Sequence, residues 1–434
     1  MTQISEKLAA DGGEPAQTLP WPGDYAGAAF IGDEERRHVL EVLDRQTLFR
    51  FYGPQTPDKV AQLEREFAAR IGSKWALAVT SGTAALKVAL AAVGVGPGDE
   101  VIVPAITFIA SAGAVLAHGA HCVFAEVDDS LGLDPADVAL KITSRTKAIM
   151  PVHLGGVACD MDPLLAAARV RGVPIVEDCA QSAGCSYKGK PIGSLGTAGA
   201  FSLQTQKIIT AGEGGFVTTS DPLVYERAFR YHDHGGYRFG RQGVTVSGST
   251  AAAGSSDSDS APPPAAALDP FVGEVYRMGE LTGAVALAQL RKLDLILEAC
   301  RRHKRRLTEG IDGLPGFSLR HLPDPDGDCG TRFGFVVDDP AKSEAFGKAL
   351  RAEGVPTHRV YGGKPVYAEP QILHRRSHTG ATIAPDAPAY SLGMCPRTEA
   401  LLQRAYTLPI HPHLTDAHLN GTVRAFEKVT ASLF

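Results

Sequence analysis

No apolar run in the chain approaches the about 20 residues that a membrane-spanning helix needs, so a membrane role is not expected. The amino terminus, Met-Thr-Gln-Ile-Ser-Glu, lacks the charged and apolar regions of a secretory signal, which makes the cytoplasm the expected compartment. Cysteine is scarce and scattered: Cys122, Cys159, Cys179, Cys185, Cys300, Cys329 and Cys395 form no metal-type spacing and are odd in number. Neither a zinc site nor a disulfide framework is expected from them. His232 with His234, and His411 with His413, have no third ligand nearby in sequence, so no metal is expected at all. Basic patches interleaved with aromatics are also missing and the formal net charge is −5, which excludes a nucleic-acid footprint.

What remains is a long chain of ordinary globular composition. Its 434 residues, 44% hydrophobic, suffice for a large core and more than one domain. From 75 to about 219, short apolar strands alternate with helical stretches, the pattern of a largely parallel sheet covered on both faces. Residues 276–296 read as one long helix leading into a smaller α+β unit, with strands at 317–322 and 332–337 and helices at 341–353 and from Asp416 onward. The basic cluster 301–306 reads as a solvated helix face. Residues 1–30, which include Asp11-Gly-Gly-Glu-Pro15, read as a mobile lead-in, followed by a helix capped by Asp33 and running to about Gln46. The expected division is a large domain over 31–296 and a small one over 297–434. Residues 248–267, rich in Ser, Ala and Pro, read as a flexible insertion.

Three stretches carry chemistry. In 199–215 two short apolar runs flank Lys207 and a glycine-rich turn, which puts the lysine at the mouth of a buried sheet. A lysine desolvated there has a lowered pKa and can form a Schiff base with a carbonyl; an ordinary lysine in a turn is a solvated charge. In 173–184 a buried strand ends in Glu177 and Asp178. A carboxylate in that place can hold the ring nitrogen of a pyridine cofactor protonated, or the two acids can cap a helix. In 79–86 a strand gives way to Thr-Ser-Gly-Thr before a helix. Backbone N–H groups there, with the hydroxyls of Ser81 and Thr83, suit a phosphate, or serve as a plain helix cap.

In that order, the strand and turn at 79–86, the strand ending in Asp178, and Ser202 with Lys207 resemble the DegT/StrS family of pyridoxal-phosphate-dependent sugar aminotransferases. Gly98-Asp-Glu-Val-Ile-Val-Pro104, Thr107-Phe108, Pro151-Val-His153, Tyr276-Arg-Met278 and Leu408-Pro-Ile-His-Pro412 extend the likeness over nearly the whole chain from about 30 onward. Phe49-Arg-Phe51, His232-Asp-His-Gly235 and Leu322-Pro-Asp-Pro-Asp-Gly327 are similar to the branch that aminates ulosonic acids, with the cyclitol branch also near.

The resemblance implies an aspartate-aminotransferase-type (fold type I) large domain with a mostly parallel sheet, a smaller α+β carboxy-terminal domain, and a homodimer with active sites at its interface. It implies pyridoxal 5'-phosphate held on Lys207, with Asp178 at the ring nitrogen, Phe108 stacked on the ring and Gln181 beside the ring or its hydroxyl. Gly82, Thr83, Ala84 and Ser202 would hold the phosphate. The donor would be glutamate or glutamine and the acceptor a keto-sugar or keto-cyclitol, in antibiotic or polysaccharide biosynthesis. Without the family, Phe108 is equally a core phenylalanine and His153 a satisfied core polar group. Val275 departs from the pattern, since the family usually has an asparagine there to reach the partner's phosphate. Two rival readings are a sugar dehydratase using the aminated cofactor and a non-catalytic ligand sensor. The dehydratases replace the lysine with histidine, and a sensor has no need of Lys207 or Asp178, so both residues argue for the aminotransferase.

Overall fold

A computed structural model describes residues 6–235 and 268–434 of the chain; the 248–267 insertion lies outside these residues. Trp75–Val79 forms one edge of a four-stranded sheet and is followed by Gly215–Thr219, Ala198–Ser202 and Val176–Asp178. Parallel bridges from Ile149 to Ile175 and from Val152 to Asp178 join this sheet to a three-stranded one. There Thr146–Ile149 and His121–Ala125 flank Glu100–Pro104 in parallel. Every residue of Trp75–Val79, Glu100–Pro104, Ala198–Ser202 and Gly215–Thr219 is buried. Strands buried on both faces read as continuous apolar runs rather than alternating ones, which is why the sequence reveals them as short blocks.

The sheet is mostly parallel, as its pattern suggests, but Gly215–Thr219 runs antiparallel to both neighbours. The chain reaches it from Ala198–Ser202 through the Lys207 loop, which folds back without a helix; Leu203 N–H donates to Gly214 O and Ala211 N–H to Leu203 O, closing its neck. With no crossover helix, the two strands pair as a hairpin. The carboxyl ends of Trp75–Val79, Glu100–Pro104, Val176–Asp178 and Ala198–Ser202 all open on one side, where sheets of this kind build their sites.

The reading of 276–296 as one helix needs correction. Tyr276 and Arg277 are drawn into pairing with the sheet edge, Thr80 N–H donating to Tyr276 O and Arg277 bridging Val79. The helix therefore starts at Glu280, ends at Arg291, and is succeeded by a second, Leu293–Ile311. The first helix of the large lobe is Asp33–Asp44; its cap is Gly32, whose N–H donates to Glu35, so Asp33 is the first helical residue rather than the cap. Nor is the 301–306 cluster wholly solvated: His303 is buried, Arg301 donates to Asp328 O, and Lys304 pairs with the Asp328 carboxylate.

A second sheet, antiparallel throughout, orders Phe317–Leu319, Arg332–Val337, Ala405–Pro409 and His358–Arg359. Along Arg332–Val337 burial alternates, Phe333 and Phe335 facing inward, and Phe335 packs with Phe346 and Phe426 from the helices Ser343–Ala352 and Asp416–Leu433. This two-residue period is the signature of a half-covered sheet. The expected boundary at 296–297 falls inside the helix Leu293–Ile311.

The amino-terminal segment differs from the expected mobile lead-in. Glu353, fully buried, accepts the amides of Ala9 at 2.7 Å and Ala16 at 2.8 Å while pairing with Lys428 at 2.9 Å. Lys428 also donates to Glu14 O, and Leu8 is buried in the core. A buried carboxylate paired in this way fixes the segment that supplies its amides.

Candidate active site

One cavity of about 620 Å³ lies between the two sheets, lined among others by Ser81, Gly82, Thr83, Phe108, Asp178, Gln181, Ser202 and Lys207. The structure thus gathers eight of the nine residues singled out in the sequence, all but Ala84, drawn from four stretches that are far apart in the chain.

Lys207 is held by its backbone, whose N–H donates to Gln204 O at 2.8 Å, and the loop closes further through Thr205 N–H to Gly212 O. Burial lowers its pKa, the Asp178 carboxylate draws it back up, and the Arg332 charge pushes it down again. A lysine so placed spends more of its time as a neutral amine than an exposed one does.

Asp178 is buried and its pKa is raised, because burial disfavours the carboxylate more than its partners stabilise it. Ser111 donates its hydroxyl to Oδ2 at 2.7 Å, with Thr107 Oγ1 2.6 Å from Ser111 Oγ, and Ala180 N–H donates to Oδ1 at 3.1 Å. Among the described residues no cation lies within 4.0 Å of this carboxylate, and a protonated ring nitrogen would be such a cation.

Glu177, its neighbour, faces the other way and is structural. It accepts the amides of Gly193, Leu195 and Gly196, while His153 Nε2 lies 3.1 Å from its Oε2. Cys159 N–H donates to His153 Nδ1, and both side chains are fully buried, so His153 is a satisfied core group outside the cavity. With Cys179 these two groups bring three possible ligand atoms within 4.8 Å of one another, but the Glu177 oxygens already serve the 193–196 turn.

Ser81 caps the helix Gly82–Ala92 by accepting the amide of Ala84 at 3.1 Å. The amides of Gly82 and Thr83 precede the first intrahelical bond and point outward from the helix end. Ala84 does not line the cavity, and its amide is engaged by the Ser81 cap. Gly82 presses against Ser202: a Cβ on Gly82 would lie 2.6 Å from Ser202 Cβ. This keeps the helix end and the strand end close enough to share one anion.

Phe108 is 55% exposed and lines the cavity, which rules out the core reading. Gln181 donates from Nε2 to the Tyr361 hydroxyl at 2.9 Å, tying the two sides of the cleft. Tyr361 has φ 46°, in the left-handed region that a bulky residue seldom adopts. Val275, 44% exposed, does not line this cavity and bridges Asp233 instead. Sequence reasoning missed Ser111, Tyr361, Asp24 and Arg332, all of which line the cavity. Nothing local marks them, since each arrives from a separate element.

A buried carboxylate with no ion-pair partner among the described residues, a lysine whose pKa burial lowers and the amides of Gly82 and Thr83 beside a close glycine–serine contact fit pyridoxal phosphate. With its sheet order, this places the chain among the pyridoxal-phosphate aminotransferases of fold type I. Solved structures agree: that of 3-amino-5-hydroxybenzoic acid synthase superimposes with a TM-score of 0.76 at 30% identity, covering 96% of this chain and all of that one. The chain belongs to the DegT/DnrJ/EryC1/StrS aminotransferase family, whose model matches residues 30–427. It is similar to the spore coat polysaccharide biosynthesis protein SpsC of Bacillus subtilis, 32% identical over 92% of this chain and 95% of that protein. It is also similar to the 3-amino-5-hydroxybenzoate synthase of Amycolatopsis mediterranei, 34% identical over 85% and 87%.

Proposed function

We propose that this aminotransferase moves an amino group from glutamate or glutamine to a keto-sugar or keto-cyclitol, in the biosynthesis of an antibiotic or polysaccharide. The observation that carries the reading is that Lys207 and Asp178 line one cavity together with the exposed Phe108. When bound, pyridoxal phosphate supplies an electron-withdrawing ring and a carbonyl carbon that takes up and releases nitrogen.

Lys207 would hold the cofactor and, as a free amine, would carry the proton taken from the donor's α-carbon. Asp178 would keep the ring nitrogen protonated, and Ser111 and the Ala180 amide keep Asp178 aimed. Phe108 and Gln181, the latter bonded to Tyr361, would supply the wall against which the ring is held. The amides of Gly82 and Thr83, with Ser81 and Ser202, would hold the phosphate, and Ala84 would support them through the cap.

We further propose a homodimer. Ile31, Leu40, Leu43, Leu48, Tyr52 and Leu281 are each at least one-third exposed, and Leu48 O accepts the Glu280 amide, which brings the segment after the helix Asp33–Asp44 to the start of the helix Glu280–Arg291. Exposed apolar side chains on these elements support an interface there. Among the described residues no helix is long and apolar enough to cross a membrane. All seven cysteines are buried thiols, in keeping with a reducing cytoplasm.

The test separates the two halves of the reaction. Glutamate or glutamine should change the absorbance of the bound cofactor, and a keto-sugar or keto-cyclitol should restore it. If neither donor changes it while a deoxysugar accumulates from an added sugar, the dehydratase reading replaces this one.

A further inference from the structure

One cavity must accept two chemically unlike molecules in turn. An amino-acid donor carries a carboxylate next to the reacting carbon; a sugar or cyclitol ring carries hydroxyls there. Arg332, the first residue of the strand Arg332–Val337, lines the cavity with Lys207. Among the described residues its only carboxylate neighbour within 4.0 Å is Asp24, whose Oδ1 lies 3.3 Å from Nη1. The pair is loose compared with Arg50, which grips Glu64 through two bonds of 2.7 and 2.8 Å. Both side chains are about one-third exposed, at 33% and 35%, and Asp24 lines the same cavity.

Asp24 sits on the amino-terminal segment between two anchors. On one side Pro20 O contacts His418 Nε2 at 3.2 Å. On the other, Gly27 lies so close to the backbone after Lys207 that a Cβ would meet Ile208 O and Ile209 Cα at 2.9 Å. Gly23, at φ 86°, turns the chain between them. The segment therefore delivers a carboxylate to the cavity wall at a set place. Two other guanidiniums line the cavity: Arg320 is fixed by Ser130 O at 2.6 Å and Leu154 O at 2.8 Å, and Arg359 pairs with Glu344, outside the cavity, at 2.8 Å and donates to the Tyr406 hydroxyl at 3.1 Å, so both are committed elsewhere. Arg332 is the one with bonds to exchange.

We propose that Asp24 and Arg332 form a charge-exchange pair that lets the cavity serve both substrates. The donor's carboxylate displaces Asp24 and takes the Arg332 guanidinium by two bonds, and Asp24 returns to cover Arg332 when the uncharged ring of the acceptor is present. The proposal rests on the aminotransferase reading. Its physical basis is that a single long contact between groups one-third exposed is weak and replaceable, whereas a bidentate carboxylate is held more strongly. An uncovered guanidinium facing hydroxyls alone would disfavour the acceptor.

Three variants of the loaded enzyme test it: Arg332→Gln, Arg332→Lys and Asp24→Asn. The donor half-reaction is titrated with glutamate and glutamine, the acceptor half with a keto-sugar. A second arm measures binding of glutarate, a carboxylate without an amine, by calorimetry. Arg332→Gln should raise the donor concentration at half-conversion by about tenfold or more, hit the acceptor half less, and abolish glutarate binding. Arg332→Lys should fall between. Asp24→Asn should tighten glutarate and donor while slowing the acceptor half. Unchanged donor and glutarate binding in Arg332→Gln overturns the proposal, as does weaker donor binding in Asp24→Asn. Should the wild type respond to no donor, the aminotransferase reading fails by itself, and the glutarate arm still decides whether Asp24 competes for Arg332.

Discussion

Ser111 donates its hydroxyl hydrogen to Asp178 at 2.7 Å, the serine from the helix Ile109–Ala117 and the aspartate from the end of the strand Val176–Asp178, 67 positions apart. That bond, backed by Thr107, sets the direction in which a buried carboxylate faces. Replacing Ser111 by alanine leaves Asp178 with the Ala180 amide as its remaining hydrogen-bond donor in the site. We expect Ser111→Ala to fold and bind cofactor, and to slow the donor half-reaction by about tenfold, the loss of one bond to a charged group. Single-turnover absorbance measurements check this; an unchanged rate would remove Ser111 from the machinery.

Asp178 also predicts a pH dependence in the cofactor-free protein. Burial raises its folded pKa above the unfolded value. The stability tied to its protonated form is therefore complete below the ordinary carboxylate range and is lost as pH rises through the raised value. Asp178→Asn abolishes that loss. The cofactor-free variant should melt above the cofactor-free wild type at neutral pH, and the two curves should converge in acid. With cofactor bound, the same variant should lose on the order of a hundredfold in the donor half-reaction, since a neutral ring withdraws electrons poorly.

The contact between Gly82 and Ser202 is tight enough to be tested by compensation. A Cβ at Gly82 would sit 2.6 Å from Ser202 Cβ and 2.8 Å from its Oγ. Gly82→Ala should cost roughly 1–3 kcal/mol through overpacking and weaken cofactor binding. Adding Ser202→Gly removes both clashing atoms and should restore most of the stability while leaving cofactor affinity low. Thermal melts and cofactor titrations of the single and double variants separate the two effects.

Glu353 ties the amino-terminal segment to the carboxy-terminal helix. Burial alone would raise its pKa, but the Ala9 amide, Lys428 and the Ala16 amide outweigh that and lower it. Its stabilisation is present above the unfolded pKa and disappears as pH falls through the folded value. Glu353→Ala strands Lys428 and should cost about 3–5 kcal/mol near neutrality. The gap from wild type should close below about pH 4, a trend that denaturant unfolding at several pH values reveals.

The parts of this protein that could be read from its sequence are those whose signal is local. Buried strands such as Glu100–Pro104 announce themselves as apolar blocks, and Lys207, Asp178 and the Ser81 cap each sit in a recognisable strand-to-turn setting. Phe108 needed the structure to separate a cavity wall from a core residue, because both look alike in sequence. The helix break at Lys292 is invisible to periodicity, since apolar spacing continues across it, and the delayed start at Glu280 follows from sheet pairing by Tyr276 and Arg277. The lead-in looked mobile because Gly and Pro signal loops, yet its order comes from Glu353, more than 300 residues away. Asp24 and Arg332 escaped for the same reason: neither has meaning until the chain brings them to one cavity.

The account stands on Lys207 as the amine that holds the cofactor, and chemical trapping tests this most directly. The purified, cofactor-loaded protein is reduced with borohydride, digested, and its peptides mapped by mass spectrometry. We predict a single pyridoxyl modification, on the peptide containing Lys207, and none in Lys207→Ala. A modification on any other lysine, or a loaded protein that yields no modified peptide, would contradict the assignment of the site.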